Sequence, residues 1–122
     1  MKKPLTGHIQ PDNSQIELNG YEKAGGYGAL RKAVGKLNPE EITSMVKDSG
    51  LRGRGGAGFG TGMKWGFVPM GENAPKEKYL VINADEMEPG TFKDRLLLEK
   101  NPHLVIEGII LGAYAIQATR AY

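Results

Sequence analysis

The sequence predicts an α/β domain that is incomplete, and three features support this prediction. Residues 79–82 are a short, continuously apolar run of the kind that forms a buried parallel strand. Helical patterns lie on both sides of it, and the last of them, about residues 104–118, is apolar on most faces. Such a helix needs more cover than one strand supplies. We therefore expect the sequence to be a truncated part of a longer polypeptide.

The elements follow in order along the chain. Residues 1–19 are polar and turn-rich and predict an N-terminal extended arm, ahead of a domain over residues 20–122. A short helix is expected over residues 29–34. The next helix is clearer, because Asn38 is a suitable N-cap and Pro39 suits the first helical position. It ends at Ser49-Gly50, a good C-terminal stop.

The second half of the chain contains one predicted strand among further predicted helices. A short helix is expected over residues 63–67, and residues 69–78 read as a surface connection. The strand follows, and then a helix over residues 91–99. Asn101 and Pro102 repeat the cap signal ahead of the long apolar helix.

Composition limits the classes of function. The 122 residues suffice for one domain with a core, and a net charge of +2 is too small to indicate nucleic acid or an anionic membrane surface. The absence of cysteine excludes disulfides and thiolate-bound metal or iron–sulfur sites within this sequence, and no metal site is expected. No apolar run reaches the roughly 20 residues of a membrane helix, so we expect a cytoplasmic protein without direct membrane insertion.

A glycine loop, residues 53–62, is the most informative segment. Six of its ten residues are glycine, and Arg52, Arg54 and Lys64 bracket it. Bare N–H groups on a pliable backbone beside cations are typical of phosphate sites. The loop contains G-x-G-x-x-G, but a helix rather than a strand precedes it, so we interpret it as a phosphate cradle outside the standard Rossmann frame. A structural turn and a single RGG segment that binds RNA are the alternatives.

Acidic and amide side chains follow the predicted strand, namely Asn83, Asp85, Glu86 and Glu88. In α/β sheets, ligands bind beyond the carboxyl ends of strands. A solvated acidic turn is the alternative interpretation. Nucleotides carry phosphates and also ribose hydroxyls and ring N–H groups, so a cationic loop and an acidic segment together favour a nucleotide pocket. Phe59, flanked by glycines, is the best candidate for stacking on a base.

Two motifs, residues 52–65 (RGRGGAGFGTGMKW) and 83–95 (NADEMEPGTFKDR), resemble the flavoprotein subunit of respiratory complex I. This family is the NADH-binding F-type, or 51-kDa, component of NADH:quinone oxidoreductase, and its module also occurs in NAD-reducing hydrogenases and NAD-linked formate dehydrogenases. Residues 101–108 match as well, so the resemblance covers about residue 20 to the end. It implies an incomplete Rossmann-like FMN/NADH-binding domain in an NADH dehydrogenase, in which FMN takes a hydride from NADH and passes electrons to iron–sulfur clusters.

The resemblance also implies roles for individual residues. It places the glycine loop at the NADH and flavin pocket, with these residues at the cofactors: Gly53, Arg54, Gly55, Gly56, Ala57, Gly58, Phe59, Gly60, Thr61, Gly62, Lys64, Phe67, Asn83, Asp85, Glu86 and Glu88. Phe59 and Phe67 would lie near the adenine. Glu86 and Glu88 would position and tune the cofactors rather than act as acid or base. A carboxylate near the flavin opposes the addition of electrons, so Glu86→Gln is expected to raise the flavin potential.

The family continues with a second flavin-binding stretch, a ubiquitin-like domain and a four-cysteine motif for a 4Fe–4S cluster, and none of these is in the 122 residues. We therefore expect at most half of the pocket here and no independent catalysis. The implied partners are NADH and the iron–sulfur subunits of the 24-kDa or E type and the G type, on the inner face of the bacterial cell membrane, with quinone as acceptor. A hydrogenase or formate dehydrogenase module, a nucleotide-binding fragment without redox activity, and an interaction piece are alternatives. Gly60 departs from the proline or serine of many relatives.

Overall fold

The computed structural model describes residues 3–122. The chain folds into two compact units, one with the residues up to Arg31 and Ile82–Ile110, the other with Lys32–Val81 and Leu111–Tyr122. We call them the first and the second unit. The elements in chain order are α1 (Leu18–Lys23), α2 (Gly28–Ala33), α3 (Pro39–Asp48), α4 (Thr61–Gly66), β1 (Tyr79–Leu80), α5 (Lys93–Lys100), α6 (Pro102–Ile116) and β2 (Arg120–Ala121).

The N-terminal segment is turned rather than extended over the described part, and the first two residues of the predicted arm lie outside the described residues. Its turns are closed locally, as where the Gly7 N–H donates to the Lys3 carbonyl at 2.8 Å. Ile16 anchors its end, with a side chain 4% exposed and an N–H that donates to the Lys100 carbonyl at 3.1 Å. The pattern does not predict α1, which contains Asn19 and Gly20, poor helix formers that tertiary packing overrides.

The second unit confirms the helix predicted after Asn38. The Asn38 side chain accepts a hydrogen bond from the Glu41 N–H at 2.9 Å, and the Glu41 carboxylate accepts one from the Asn38 N–H at 2.8 Å. This capping box satisfies two amides that α3 cannot pair internally. The helix ends at Asp48, and Gly50 follows with φ +68°, a conformation in which glycine is favoured.

The core of the second unit lies between α3, α4 and the end of α6. Its buried residues are Ala33, Ile42 and Ala115, against which Leu37, Val46, Trp65, Leu111 and Tyr114 pack. The contact of α3 with α4 is close, because a Cβ at Gly62 would lie 2.3 Å from the Lys47 amide nitrogen. Gly62 is therefore a packing requirement, and α4 holds a fixed position at the exit of the glycine loop.

The two strands pair in parallel, with Tyr79 opposite Arg120 and Leu80 opposite Ala121. Parallel pairing was predicted for the strand at residues 79–82, whereas β2 was not predicted within this sequence. The expectation of a buried strand over residues 79–82 is wrong, since β1 has two residues and Val81 is 72% exposed. Among residues 3–122 the sheet has two strands, which cannot enclose the apolar run. The molecule is thus a mixed α/β protein with a small sheet.

The last two helices are confirmed, with shifted boundaries. α5 begins two residues later than expected, and α6 begins at Pro102 and ends at Ile116. The predicted side-chain cap by Asn101 is wrong. Asn101 is fully buried, and its side-chain amide has no hydrogen-bond partner among the described residues.

Candidate functional site

The glycine loop is a closed hairpin at the entrance of α4. At its base the Gly53 N–H donates to the Phe59 carbonyl at 2.8 Å, and the Thr61 N–H donates to the Leu51 carbonyl at 2.9 Å. Arg52 and Gly60 form an antiparallel bridge between these bonds. The loop therefore has a defined base, and residues 54–58 form its tip.

The tip exposes backbone amides. No N–H of residues 54–58 donates a hydrogen bond within the described chain. Gly56 and Gly58 have φ values of +116° and +61°, conformations that L side chains rarely adopt, so glycine is needed at both positions. Successive free amides on such a backbone form an anion-binding concavity.

The three cations of the loop differ in whether their side chains form hydrogen bonds within the protein. The Arg52 guanidinium donates to the Gly58 carbonyl at 3.0 Å, across the hairpin. Arg54 and Lys64 are exposed, and neither side chain forms a hydrogen bond or an ion pair within residues 3–122. All three cations flank the loop in the sequence, and in the structure Arg54 and Lys64 are the two that remain available to a ligand.

A cavity of about 590 Å³ opens beside the loop, within the range of nucleotide-sized pockets. Trp65, Leu80 and Ile116 contribute apolar walls. The predicted site residues that line it are Gly53, Gly55, Ala57, Gly58, Phe59, Thr61 and Lys64.

The remaining loop residues of the predicted site lie elsewhere. Gly62 packs against α3, and Arg54, Gly56 and Gly60 are not part of the cavity wall. Phe67 is 69% exposed and lines a neighbouring cavity of about 650 Å³ between α3 and α4. Its ring centroid is 6.1 Å from that of Phe59, so the two aromatic rings form one pair.

The acidic turn, residues 83–90, belongs to the first unit. Its shape is set locally, because the Asn83 side-chain oxygen accepts from the Asp85 N–H at 2.9 Å and Gly90 has φ +80°. The carboxylates of Asp85 and Glu88 are exposed and form no hydrogen bond or ion pair within the described residues. They are available as hydrogen-bond acceptors.

Glu86 differs from these two carboxylates. Its side chain is 8% exposed, and it accepts hydrogen bonds from the N–H groups of Asp94, at 2.9 and 3.1 Å, and Arg95, at 3.0 Å. It therefore caps α5. Burial alone would raise the pKa of the Glu86 carboxyl, but the amides of α5 and the Lys93 ammonium outweigh burial and hold it below its ordinary value.

A second buried carboxylate, Glu107 on α6, was not singled out from the sequence. It accepts from the Tyr21 hydroxyl at 2.6 Å, the Tyr27 N–H at 2.9 Å and the Leu30 N–H at 3.0 Å. The Tyr21 ring stacks on that of His103, with centroids 5.8 Å apart. We call these residues the Glu107 cluster. The sequence offered one signal for it, because Glu107 is the only acidic residue in the apolar helical pattern of α6.

Within residues 3–122, no helix has the length and apolar character needed to span a membrane. The same residues contain no group of three or more His, Cys, Asp or Glu side chains placed to hold a metal ion.

Residues 46–122 match the model of the Nuo51 FMN-binding domain. The second F-type subunit of NADH-quinone oxidoreductase in Rhizobium meliloti is 62% identical over 105 residues, which are 86% of this chain and 24% of that protein. The F-type subunit of NADH-quinone oxidoreductase in Escherichia coli K12 is 50% identical over 119 residues, 98% of this chain and 26% of that protein.

Among solved structures, an NAD+-reducing NiFe hydrogenase in the H2-reduced state aligns with a TM-score of 0.70 and 44% identity, over 88% of this chain and 18% of that one. The chain spans about a quarter of the length of the curated relatives it matches. Its glycine loop and acidic turn both lie within the matched residues. The chain belongs to the Nuo51 FMN-binding domain family.

Proposed function

We propose that this chain supplies the glycine loop and the acidic turn of an NADH-oxidising flavoprotein, and that the loop binds the phosphate of a nucleotide cofactor. The observation that carries the proposal is the loop tip with its free backbone amides, together with two cations that have no partner among the described residues, Arg54 in the tip and Lys64 in the wall of the adjacent cavity. Dispersed charge and backbone donors of this kind suit a phosphate group. Membership in an FMN-binding family supports FMN as one occupant.

FMN fits the residues at the cavity. Its volume of about 590 Å³ and its apolar walls suit a planar ring, while the loop amides and Lys64 suit a phosphate. When bound, FMN supplies acceptance of a hydride and release of single electrons. The protein residues bind and orient, and Phe59 with Phe67 provides an aromatic pair on which the adenine of NADH can stack.

The acidic turn offers acceptors of a second kind. We assign Asn83, Asp85 and Glu88 to hydrogen bonds with ribose hydroxyls or ring N–H groups, since the two carboxylates are exposed and unpaired within the described residues. Glu88 is then the main tuning residue. Its negative charge opposes the addition of electrons to a nearby flavin, by the Coulomb interaction.

Glu86 is expected to act more weakly on the flavin potential, because the α5 amides and Lys93 compensate its charge. Both Glu86→Gln and Glu88→Gln should raise the potential, and Glu88→Gln should raise it more. Potentiometric titration of the FMN-bound variants measures this. Equal rises would show that the charge of Glu86 is not compensated at the flavin.

The activity belongs to a longer protein. The relatives are named for NADH and quinone, and the structural neighbour for NAD+ reduction and hydrogenase, so the electron path beyond FMN is open to two assignments. We favour quinone, reached through iron–sulfur subunits of the E and G types in a complex at the inner face of the cell membrane. The hydrogenase or formate dehydrogenase module is the alternative, and the 4Fe–4S cluster of the family has no ligands in this sequence.

The first test is an FMN titration of the chain, followed by quenching of flavin fluorescence, with NADH added at the end. Saturable quenching is expected, and weaker binding by Lys64→Met. Lys36→Met, an exposed cation of the second unit outside the cavity wall, is the matched control. Binding without bleaching by NADH would favour a nucleotide-binding module. Absence of binding both here and in a protein with the relatives' full length would overturn the proposal.

A further inference from the structure

We propose that Arg52 is a positioning residue of the glycine loop, which acts through the Gly58 carbonyl and does not bind the cofactor phosphate. The proposal deepens the proposed function and rests on it for the identity of the ligand. It concerns how the loop is held in its binding conformation. Sequence pattern alone groups Arg52 with Arg54 and Lys64 as flanking cations, and the geometry separates it from them.

The contact spans the hairpin. Arg52 stands on one strand of the base, opposite Gly60, and its guanidinium reaches Gly58 on the returning strand at 3.0 Å. The two backbone bonds of the base, from Gly53 and Thr61, lie on either side of this bridge. The guanidinium therefore adds a third hydrogen bond across the hairpin, nearer the tip. A hydrogen bond from a charged donor is stronger than one between neutral groups.

The tie has a directional consequence. The peptide group is planar and trans, so its C=O and N–H point to opposite sides. Fixing the Gly58 carbonyl on Arg52 directs the next N–H, that of Phe59, away from the guanidinium. Within the described residues this N–H donates no hydrogen bond to the protein. Arg52 thus sets the orientation of one free donor and of the Phe59 backbone that carries the aromatic ring of the cavity wall.

The loop needs such a tie because its backbone is permissive. Gly58, at φ +61°, and Gly56, at φ +116°, have more conformational freedom than residues with a Cβ. Ordering free residues at the moment of binding costs affinity, whereas a loop already ordered does not incur that cost. Holding one carbonyl of the tip reduces the number of tip conformations before any ligand arrives.

The ligand-free protein provides the first test. Amide hydrogen exchange by NMR reports the opening of the hairpin base at Gly53 and Thr61. In Arg52→Met both amides should exchange about tenfold faster, the scale of a net charge-assisted hydrogen bond. Arg52→Lys, which keeps a charge and a donor, should be intermediate, and Lys36→Met should match the wild type. Unchanged exchange in Arg52→Met would overturn the proposal.

The second test compares FMN with riboflavin, which lacks the phosphate. A positioning role predicts that Arg52→Met weakens binding of both by a similar factor, about tenfold. Loss of FMN affinity with riboflavin affinity unchanged would make Arg52 a phosphate ligand and overturn the proposal. If neither the wild-type chain nor a protein of the relatives' full length binds either flavin, the proposed function fails, and the exchange experiment still decides the role of Arg52.

Discussion

The glycine loop and the Glu107 cluster use polar groups in opposite ways. At the cluster, one carboxylate accepts three hydrogen bonds at 2.6–3.0 Å and is 6% exposed. At the loop tip, successive amides donate to nothing within the described chain, and two cations have no partner there. The cluster is built from a tyrosine hydroxyl, an aromatic stack and the backbone amides of Tyr27 and Leu30, whereas the loop is built mainly from glycine.

The difference separates stability from binding. A buried charge is tolerated only when it is fully hydrogen-bonded, so the Glu107 cluster is expected to matter for folding. Polar groups left open to solvent contribute little to folding, but they are ready to exchange water for a ligand. Changes at the cluster should therefore alter the free energy of unfolding, and changes at the loop tip should alter affinity.

The largest expected effect is at the cluster. Glu107→Ala leaves the Tyr21 hydroxyl and two amides unsatisfied, and we expect a loss of about 3 kcal/mol in the free energy of unfolding. Urea denaturation measures it. Glu72→Ala, at an exposed glutamate of the connection before β1, should stay within about 0.5 kcal/mol of the wild type. A loss at Glu107 as small as this would show that the cluster does not support the fold.

Two glycines sharpen the comparison within the loop region itself. Gly62→Ala places a Cβ 2.3 Å from a backbone nitrogen of α3 and is expected to destabilise by about 2 kcal/mol. Gly55→Ala meets no atom within 4 Å, so its unfolding should be nearly unchanged while FMN affinity falls. Thermal unfolding and flavin titration of both variants test this. If Gly55→Ala lowered the free energy of unfolding and Gly62→Ala lowered only FMN affinity, stability and binding would not be separated in this region.

Changes at Arg54 and Lys64 should affect ligand affinity and leave the free energy of unfolding unchanged, the opposite of changes at the Glu107 cluster. Arg54→Met and Lys64→Met are each expected to weaken FMN binding about tenfold, with unfolding unchanged, because each side chain is free before the ligand binds. Rising salt should weaken wild-type binding and narrow the gap between wild type and variants. A salt-independent gap would assign these residues to packing instead of charge.

The smallest expected effect is that of low pH on the free energy of unfolding, through the Glu107 carboxylate. Burial alone would raise the pKa of Glu107, but the Tyr21 hydroxyl and the amides of Leu30 and Tyr27 outweigh it and lower the pKa from the ordinary 4.5. A lowered folded-state pKa stabilises above pH 4.5 and loses that contribution as pH falls further. We therefore expect the free energy of unfolding of the wild type to fall as the pH drops below 4.5. Urea denaturation at several pH values below 5 gives the free energies of unfolding of the wild type and of Glu107→Gln. The difference between the two should shrink as the pH falls.

Local signals predicted the parts of the fold that local rules govern. Asn38, Pro39 and Glu41 make a capping box out of neighbouring residues, and α3 has the predicted start and end. The glycine loop was recognised from composition, since φ values above zero require glycine at Gly56 and Gly58. Burial of the strand was not predictable in the same way, because it depends on how many strands pair and not on the apolar run itself.

The sequence by itself determined the helices with strong caps, the loop that glycine makes permissive and the types of group available to a ligand, because these follow from each residue's own chemistry and its near neighbours. Only the tertiary structure decided which groups are already engaged. Arg52 and Glu86 resemble their free neighbours in sequence, yet one is bonded to Gly58 and the other to the start of α5. Engagement depends on which atoms the fold brings within about 3 Å, and that distance is not encoded in residue type.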